Sequence, residues 1–149
     1  MKDWIGNSLY GLFAGAVASF GLTLIDLLNQ YLQLVPSIGP TAVLAKLLPE
    51  TFSPFFQLFH YLIGMGWGLL FSLTNQWLPK SVALAGSLYG LVIWFILMST
   101  LMPYVGAGFF CSKTGHIPLI YALACDLIFG IVTAFSYQLA NFVAYLVRK

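Results

Sequence analysis

Four apolar runs, each about as long as a bilayer is thick, constrain this chain more than any other feature. A hydrocarbon core about 30 Å thick takes roughly 20 apolar residues per helical span. Runs of that kind cover about 5–34, 54–77, 82–102 and 118–147. Inside lipid no water is available to satisfy free N–H and C=O groups, so such runs must be helical. Their ends carry breaking signals. Pro36 and Pro40 close the first run, and Pro54 opens the second where its missing N–H costs nothing. Pro79 separates the second from the third, and Pro103 and Pro118 frame the last connection. The expected fold is all-α, a polytopic membrane four-helix bundle forming a single transmembrane domain over 1–149.

Composition agrees. Of 149 residues, 60% are hydrophobic, 17% aromatic and only 7% charged. An average soluble domain is roughly 25% charged, and six Lys and Arg with four Asp and Glu cannot build its polar shell. The bilayer is therefore the first partner. The net charge of +2 is scattered, with no basic run or interleaved aromatic patch, which excludes nucleic acid. Trp4, Tyr10, Trp77, Tyr104, Tyr137 and Tyr145 fall near the span ends, as in an aromatic belt. Lys2 followed by an apolar run and AVAS resembles a signal peptide, but the run outlasts an h-region and predicts a retained helix. Lys2, Lys80, Arg148 and Lys149 share one side of a four-span topology against Lys46 and Lys113, which places both termini in the cytoplasm. The remaining irregular sequence lies in two outer connections. The first could hold an interfacial helix around 42–48, and in the second GAGFF could dip into the interface or cap the bundle mouth.

The spans resemble one another in pairs. HYLIG at 60–64 aligns with DLIFG at 126–130, and PSIG at 36–39 with PYVG at 103–106. Gly11 and Gly15 echo Gly86 and Gly90, with an insertion of about two turns. The pattern predicts two tandem helical hairpins in parallel pseudo-two-fold repeat about the membrane normal. Small residues recur every fourth position: Gly11, Gly15, Ser19 and Thr23; His60, Gly64, Gly68, Ser72 and Gln76; Gly86 and Gly90; Asp126, Gly130, Ala134 and Gln138. Stripes of this kind let helix backbones approach closely where lipid supplies no hydrophobic drive between helices. Lining a pore or admitting a flat ligand is the alternative use.

Three ionisable side chains fall within or at the edge of spans: Asp26, His60 and Asp126. A charge at the bilayer centre costs about 2.5–3.5 kcal/mol on insertion scales, so such residues face the bundle interior and mark candidate sites. His60 and Asp126 occupy matching positions in the two hairpins and are expected to approach each other. They suit a structural hydrogen bond between hairpins, a proton or ion site with a relay through Thr23, Ser72 and Gln76, or a metal or haem site. No metal-motif spacing is present, so no cofactor is expected, with haem or metal kept as an outsider. His116 reads as an exposed loop residue. Cys111 and Cys125 are too few for a disulfide framework; they could form one disulfide in an oxidising compartment or stay as buried thiols. No GxSxG, HExxH, P-loop or dinucleotide fingerprint occurs, so the chain is not expected to be an enzyme.

HYLIGMGWGLLFSL, GSLYGLVIWFILMSTLMPYVGAGFF and DLIFGIVTAFSY together resemble the YagU-like family of small uncharacterised bacterial inner-membrane proteins, over roughly residues 8–140. In that family a mP-x-x-G-x-G-x-F stretch follows the third helix, and the fourth opens with a second histidine in an H-x-x-x-G arrangement. Here Asp126 stands in that place, which disfavours bis-imidazole haem and favours an acid–base or hydrogen-bonded pair. The resemblance implies a four-helix fold in the bacterial inner membrane and supplies no molecular activity. The expectation is a small binding or transport module with a site at His60, Asp126 and Asp26 for a proton, ion or small ligand. The alternative is an accessory or homo-oligomeric scaffold subunit of a membrane complex.

Overall fold

The computed structural model of the chain describes residues 4–33, 35, 47, 49 and 55–147. Four long helices dominate: α1 (Trp4–Leu32), α2 (Phe56–Thr74), α3 (Val82–Ile96) and α4 (His116–Val147). With their continuing turns, Ile5–Leu32, Phe56–Trp77, Val82–Tyr104 and His116–Val147 are long and apolar enough to cross a membrane. The chain thus has the make-up of a multi-pass membrane protein, and the described residues contain no strand. The expected helix around 42–48 and the PSIG stretch lie outside the described residues, apart from Leu47.

The helix ends follow local chemistry. α1 stops where Gln33 turns left-handed, with φ 52°. The Gln33 N–H donates to the Asn29 carbonyl at 2.8 Å, the single bond of an αL cap. The Asn29 side chain then holds the departing chain, donating to the Val35 carbonyl at 3.1 Å and accepting from its N–H at 3.0 Å. α3 widens into a π turn over Leu97–Leu101, closed by the Met102 N–H on the Leu97 carbonyl. Pro103, which has no N–H to donate, follows in the next turn, Met102–Tyr104. Beyond it the chain reverses through Gly106 and Gly108, both at positive φ. Of the GAGFF pair, Phe109 is exposed, while Phe110 folds back edge-on to Trp94 and Phe95, 5.5 and 5.6 Å between ring centres. α4 begins two residues before Pro118, within the first turn where proline is tolerated.

α1 packs on α2 and on α4, and α3 packs on α4, whereas α2 and α3 scarcely touch. Those two helices meet through side chains. Phe71 fills the bundle centre, fully buried, edge-on to Tyr89 at 5.0 Å and to Tyr137 at 5.6 Å. Tyr89 Oη donates to the Trp67 carbonyl at 2.5 Å. Tyr137 is therefore a core residue and no part of an aromatic belt, unlike exposed Trp77 and Tyr104.

Around this aromatic centre small residues line the helix seams and many large apolar ones face outward, as lipid allows. Ala14, Ala18, Ala85 and Ala134 are buried, while Phe13, Phe20, Phe95, Phe135 and Phe142 face outward. A Cβ added to Gly11 would lie 2.6 Å from the Gly68 carbonyl oxygen, and one on Gly68 would lie 2.6 Å from the Gly15 nitrogen. Gly15 meets Gly64 and Met65 in the same way. Across α3 and α4, a Cβ on Gly86 would lie 2.6 Å from Ile131 Cα, one on Gly90 2.9 Å from Leu127 Cα, and one on Gly130 2.6 Å from the Gly90 nitrogen. Gly64 leaves room for the Ser19 hydroxyl, which a Cβ there would strike. These stripes are backbone-to-backbone contacts within the chain.

Candidate intramembrane site

A cleft of about 250 Å³ opens among the four helices, at the end where α1 leads towards α2 and α3 towards α4. Asp26, His60 and Asp126 all line it, from α1, α2 and α4 in turn. The rest of the wall is almost wholly apolar. Trp67, Ile93 and Phe129 form its base, Leu97, Met98, Leu101 and Met102 come from the π segment and the turn after it, and Tyr121 and Cys125 come from α4. Among the described residues neither lysine nor arginine lines it.

His60 is 8% exposed, and its Nε2 lies 3.3 Å from the Ser19 carbonyl. A carbonyl only accepts, so Nε2 carries the hydrogen and, in the neutral ring, Nδ1 is left as an acceptor. The same carbonyl accepts from Thr23 Oγ1 at 3.0 Å, and Thr23 Oγ1 accepts from Gln57 Nε2 at 2.8 Å. Gln57 stands three residues before His60 on the same helix face, a spacing that could have singled it out beforehand.

Asp26 is 7% exposed. Its Oδ2 accepts from Gln30 Nε2 at 3.1 Å, while its Oδ1 is buried without a hydrogen-bond partner. Ser19 Oγ, fully buried on the cleft wall, also lacks one. Buried polar atoms are paired in the great majority of cases, so two orphans on one cleft wall call for an explanation. Asp126, half-buried, has no hydrogen bond or ion pair among the described residues. No ion pair closes within 4.0 Å anywhere among them. His60 and Asp126 therefore share a cleft without the direct contact that their matching positions allowed.

Thr23, Ser72 and Gln76 are not brought together. Ser72 is level with Gly11, and at about 1.5 Å rise per residue that is roughly 18 Å along α1 from Thr23. Its hydroxyl donates to its own helix, to the Leu69 carbonyl at 2.7 Å, and Gln76 is exposed beyond it. Glycine contacts fill the space between. Cys111 and Cys125 are free thiols, a correction to the disulfide considered above. Cys111 is sequestered with Met98, Met102 and Ala107, its Sγ 3.8 Å from Met98 Sδ, while Cys125 faces the cleft. Among the described residues no three His, Cys, Asp or Glu side chains converge closely enough to hold a metal ion. The chain matches no protein-family profile, no curated protein and no solved structure.

Proposed function

We propose that this protein is a small, non-catalytic inner-membrane module that binds or transports a proton, ion or small ligand in the cleft walled by His60, Asp26 and Asp126. The observation that carries this reading is the buried Asp26 Oδ1, unpartnered on the wall of a cavity that also receives Asp126. An ionisable group held in a membrane without a partner is costly, and such groups mark functional pathways. The bacterial inner membrane, with both termini cytoplasmic, is proposed from the lysine and arginine distribution and from the YagU-like resemblance. A duplicated hairpin is proposed as well. What supports it is that Gly11 and Gly15 meet Gly68 and Gly64 as Gly86 and Gly90 meet Gly130 and Asp126, a register that matches Asp126 with Gly64, one turn away from the His60 match read in the sequence.

The scaffold reading drew on the same glycine stripes. Gly11, Gly15, Gly64, Gly68, Gly86, Gly90 and Gly130 all pack against helices of this chain, which leaves them unavailable to a second protein or copy. Binding is favoured on that ground.

The test separates a site from a structural pair. Asp26→Asn keeps an acceptor for Gln30 and removes the unpaired carboxylate, so it should hold or raise thermal stability in detergent. It should also abolish proton or cation uptake in dye-loaded proteoliposomes. A variant that loses stability and keeps wild-type flux would make Asp26 a structural residue and sink the proposal.

A further inference from the structure

Resting on the reading above, the chemistry of the cleft also specifies its ligand. Two carboxylates enter it, from Asp26 and Asp126, and no lysine or arginine among the described residues lines it to balance them. Asp26 Oδ1 is an acceptor in want of a donor. The aromatic rings of Trp67, Tyr121 and Phe129 stand on the same walls, and ring faces attract cations, most strongly when desolvated. His60, Ser19 and Cys125 are its other polar side chains, and the remainder is hydrocarbon. An inorganic cation would gain from the carboxylates, yet it would have to shed its water against an apolar wall that offers few oxygens. A neutral hydrocarbon would fill the wall and leave both carboxylates uncompensated.

We infer that the cleft binds a protonated organic amine bearing an apolar, aryl-sized group, with its ammonium at Asp26 and Asp126 and its hydrocarbon among the aromatic and aliphatic side chains. An ammonium N–H supplies the donor that Asp26 Oδ1 lacks. The volume of about 250 Å³ corresponds to about eight waters, room for a ring with a short alkylammonium arm. Such a molecule partitions into the bilayer. It reaches the cleft from the side, between α2 and α3, whose backbones do not meet and where Ile63 on the cleft wall is half exposed to lipid.

The experiment is titration calorimetry of the full chain in detergent with phenethylammonium, against n-propylbenzene as its uncharged counterpart and against sodium and potassium chloride, with empty micelles as blank. Saturable binding of the amine, one per chain, at least tenfold tighter than the hydrocarbon and weakened at least tenfold by Asp26→Asn and by Asp126→Asn, is the expected result. The amine-to-hydrocarbon comparison uses wild-type protein alone, so it decides even if a variant does not fold. Equal affinity for n-propylbenzene overturns the amine and leaves a neutral-ligand site standing. Binding of sodium or potassium that depends on Asp26, with none of the amine, overturns it and leaves an ion site. If nothing binds and no flux depends on either aspartate, both the amine and the functional proposal fail.

Discussion

Gly68→Ala should loosen the bundle, by up to about 3 kcal/mol, and Gly66→Ala, two residues away, should not. A Cβ on Gly68 would lie 2.6 Å from the Gly15 nitrogen and 2.7 Å from its Cα. These are backbone atoms of another helix, so no side chain can swing aside. Carbon contacts are comfortable at about 3.5–4.0 Å, so α1 and α2 would have to part by roughly 1 Å, a gap that forfeits a quarter to a half of each affected contact. With a few tens of atom pairs worth about 0.1–0.2 kcal/mol each, the loss is about 1–4 kcal/mol. Alanine's better helix propensity returns about 0.8–1.0 kcal/mol, leaving a net destabilisation of up to about 3 kcal/mol, against about 1–3 kcal/mol usual for overpacking. Gly66 has nothing within 4 Å of its added Cβ and is exposed. There only the propensity gain applies, up to about 1 kcal/mol. Reversible unfolding in mixed micelles, followed by tryptophan fluorescence, would measure both. Two variants of equal stability, or a Gly68→Ala protein as stable as wild type, would refute the backbone-contact argument.

Three further substitutions probe polar groups away from the cleft wall. Thr133 is fully buried with Oγ1 unpartnered, so Thr133→Val, of the same shape, should be neutral or stabilising by about 1 kcal/mol in the same unfolding assay, since an unmet hydroxyl is relieved. Asn29→Ala removes both bonds that hold Val35 and should cost about 1–3 kcal/mol, with faster amide exchange at 33 and 35 as its local signature. Gln33 sits left-handed without being glycine, so Gln33→Gly should gain about 1 kcal/mol of stability, and a loss would show that its side chain contributes more than the strain costs.

How far the sequence foretold the structure depends on which force decides each feature. Helix number and extent followed from hydrocarbon thickness and proline positions, because in lipid the backbone has one way to satisfy itself. Counted with their continuing turns, the spans end within about two residues of those expected, a usual uncertainty for such boundaries, whereas α3 proper stops at Ile96, six residues short. Gly11 with Gly68, and Gly86 with Gly130, share interfaces that four-residue spacing alone was enough to suggest. The partners of polar groups were harder to foresee. His60 and Asp126 do line one cleft, but rotation about each helix axis decides which atoms meet. The His60 hydrogen bond goes to a main-chain carbonyl on α1, which has no signature in a sequence. Tyr137 looked like an interface residue by its place along α4, yet it is drawn inward by Phe71, a contact set by the bundle rather than by depth. The π turn before Pro103 was likewise illegible, since proline marks a disturbance without saying which form it takes.

The cleft and the close packing have a common origin in the four-residue stripes. On α1 the stripe runs Gly11, Gly15, Ser19, then on to Asp26; on α2 it runs back from Gly68 through Gly64 to His60. Where both members are glycine the backbones touch and no space remains. One turn further along, Ser19 needs the bare surface of Gly64 to fit at all, and at the next the side chains are a histidine, a glutamine and a carboxylate that hold the helices apart. On α4 the stripe runs from Gly130 to Asp126, where the backbone still meets Gly90 of α3. Opposite them α3 widens at Leu97–Leu101, supplying the flexible wall of Met98 and Met102. A seam of glycines thus anchors one end of the α1–α2 pair and lets the other end carry polar groups into the space that opens. A mutation that loosens the seam should therefore disturb the cleft as well. Gly64→Ala, which displaces Ser19, should weaken the His60 contact to the Ser19 carbonyl, visible as a shift of the His60 ring resonances in isotope-labelled protein. Unchanged resonances in a folded Gly64→Ala variant would separate the packing of the bundle from the geometry of its site.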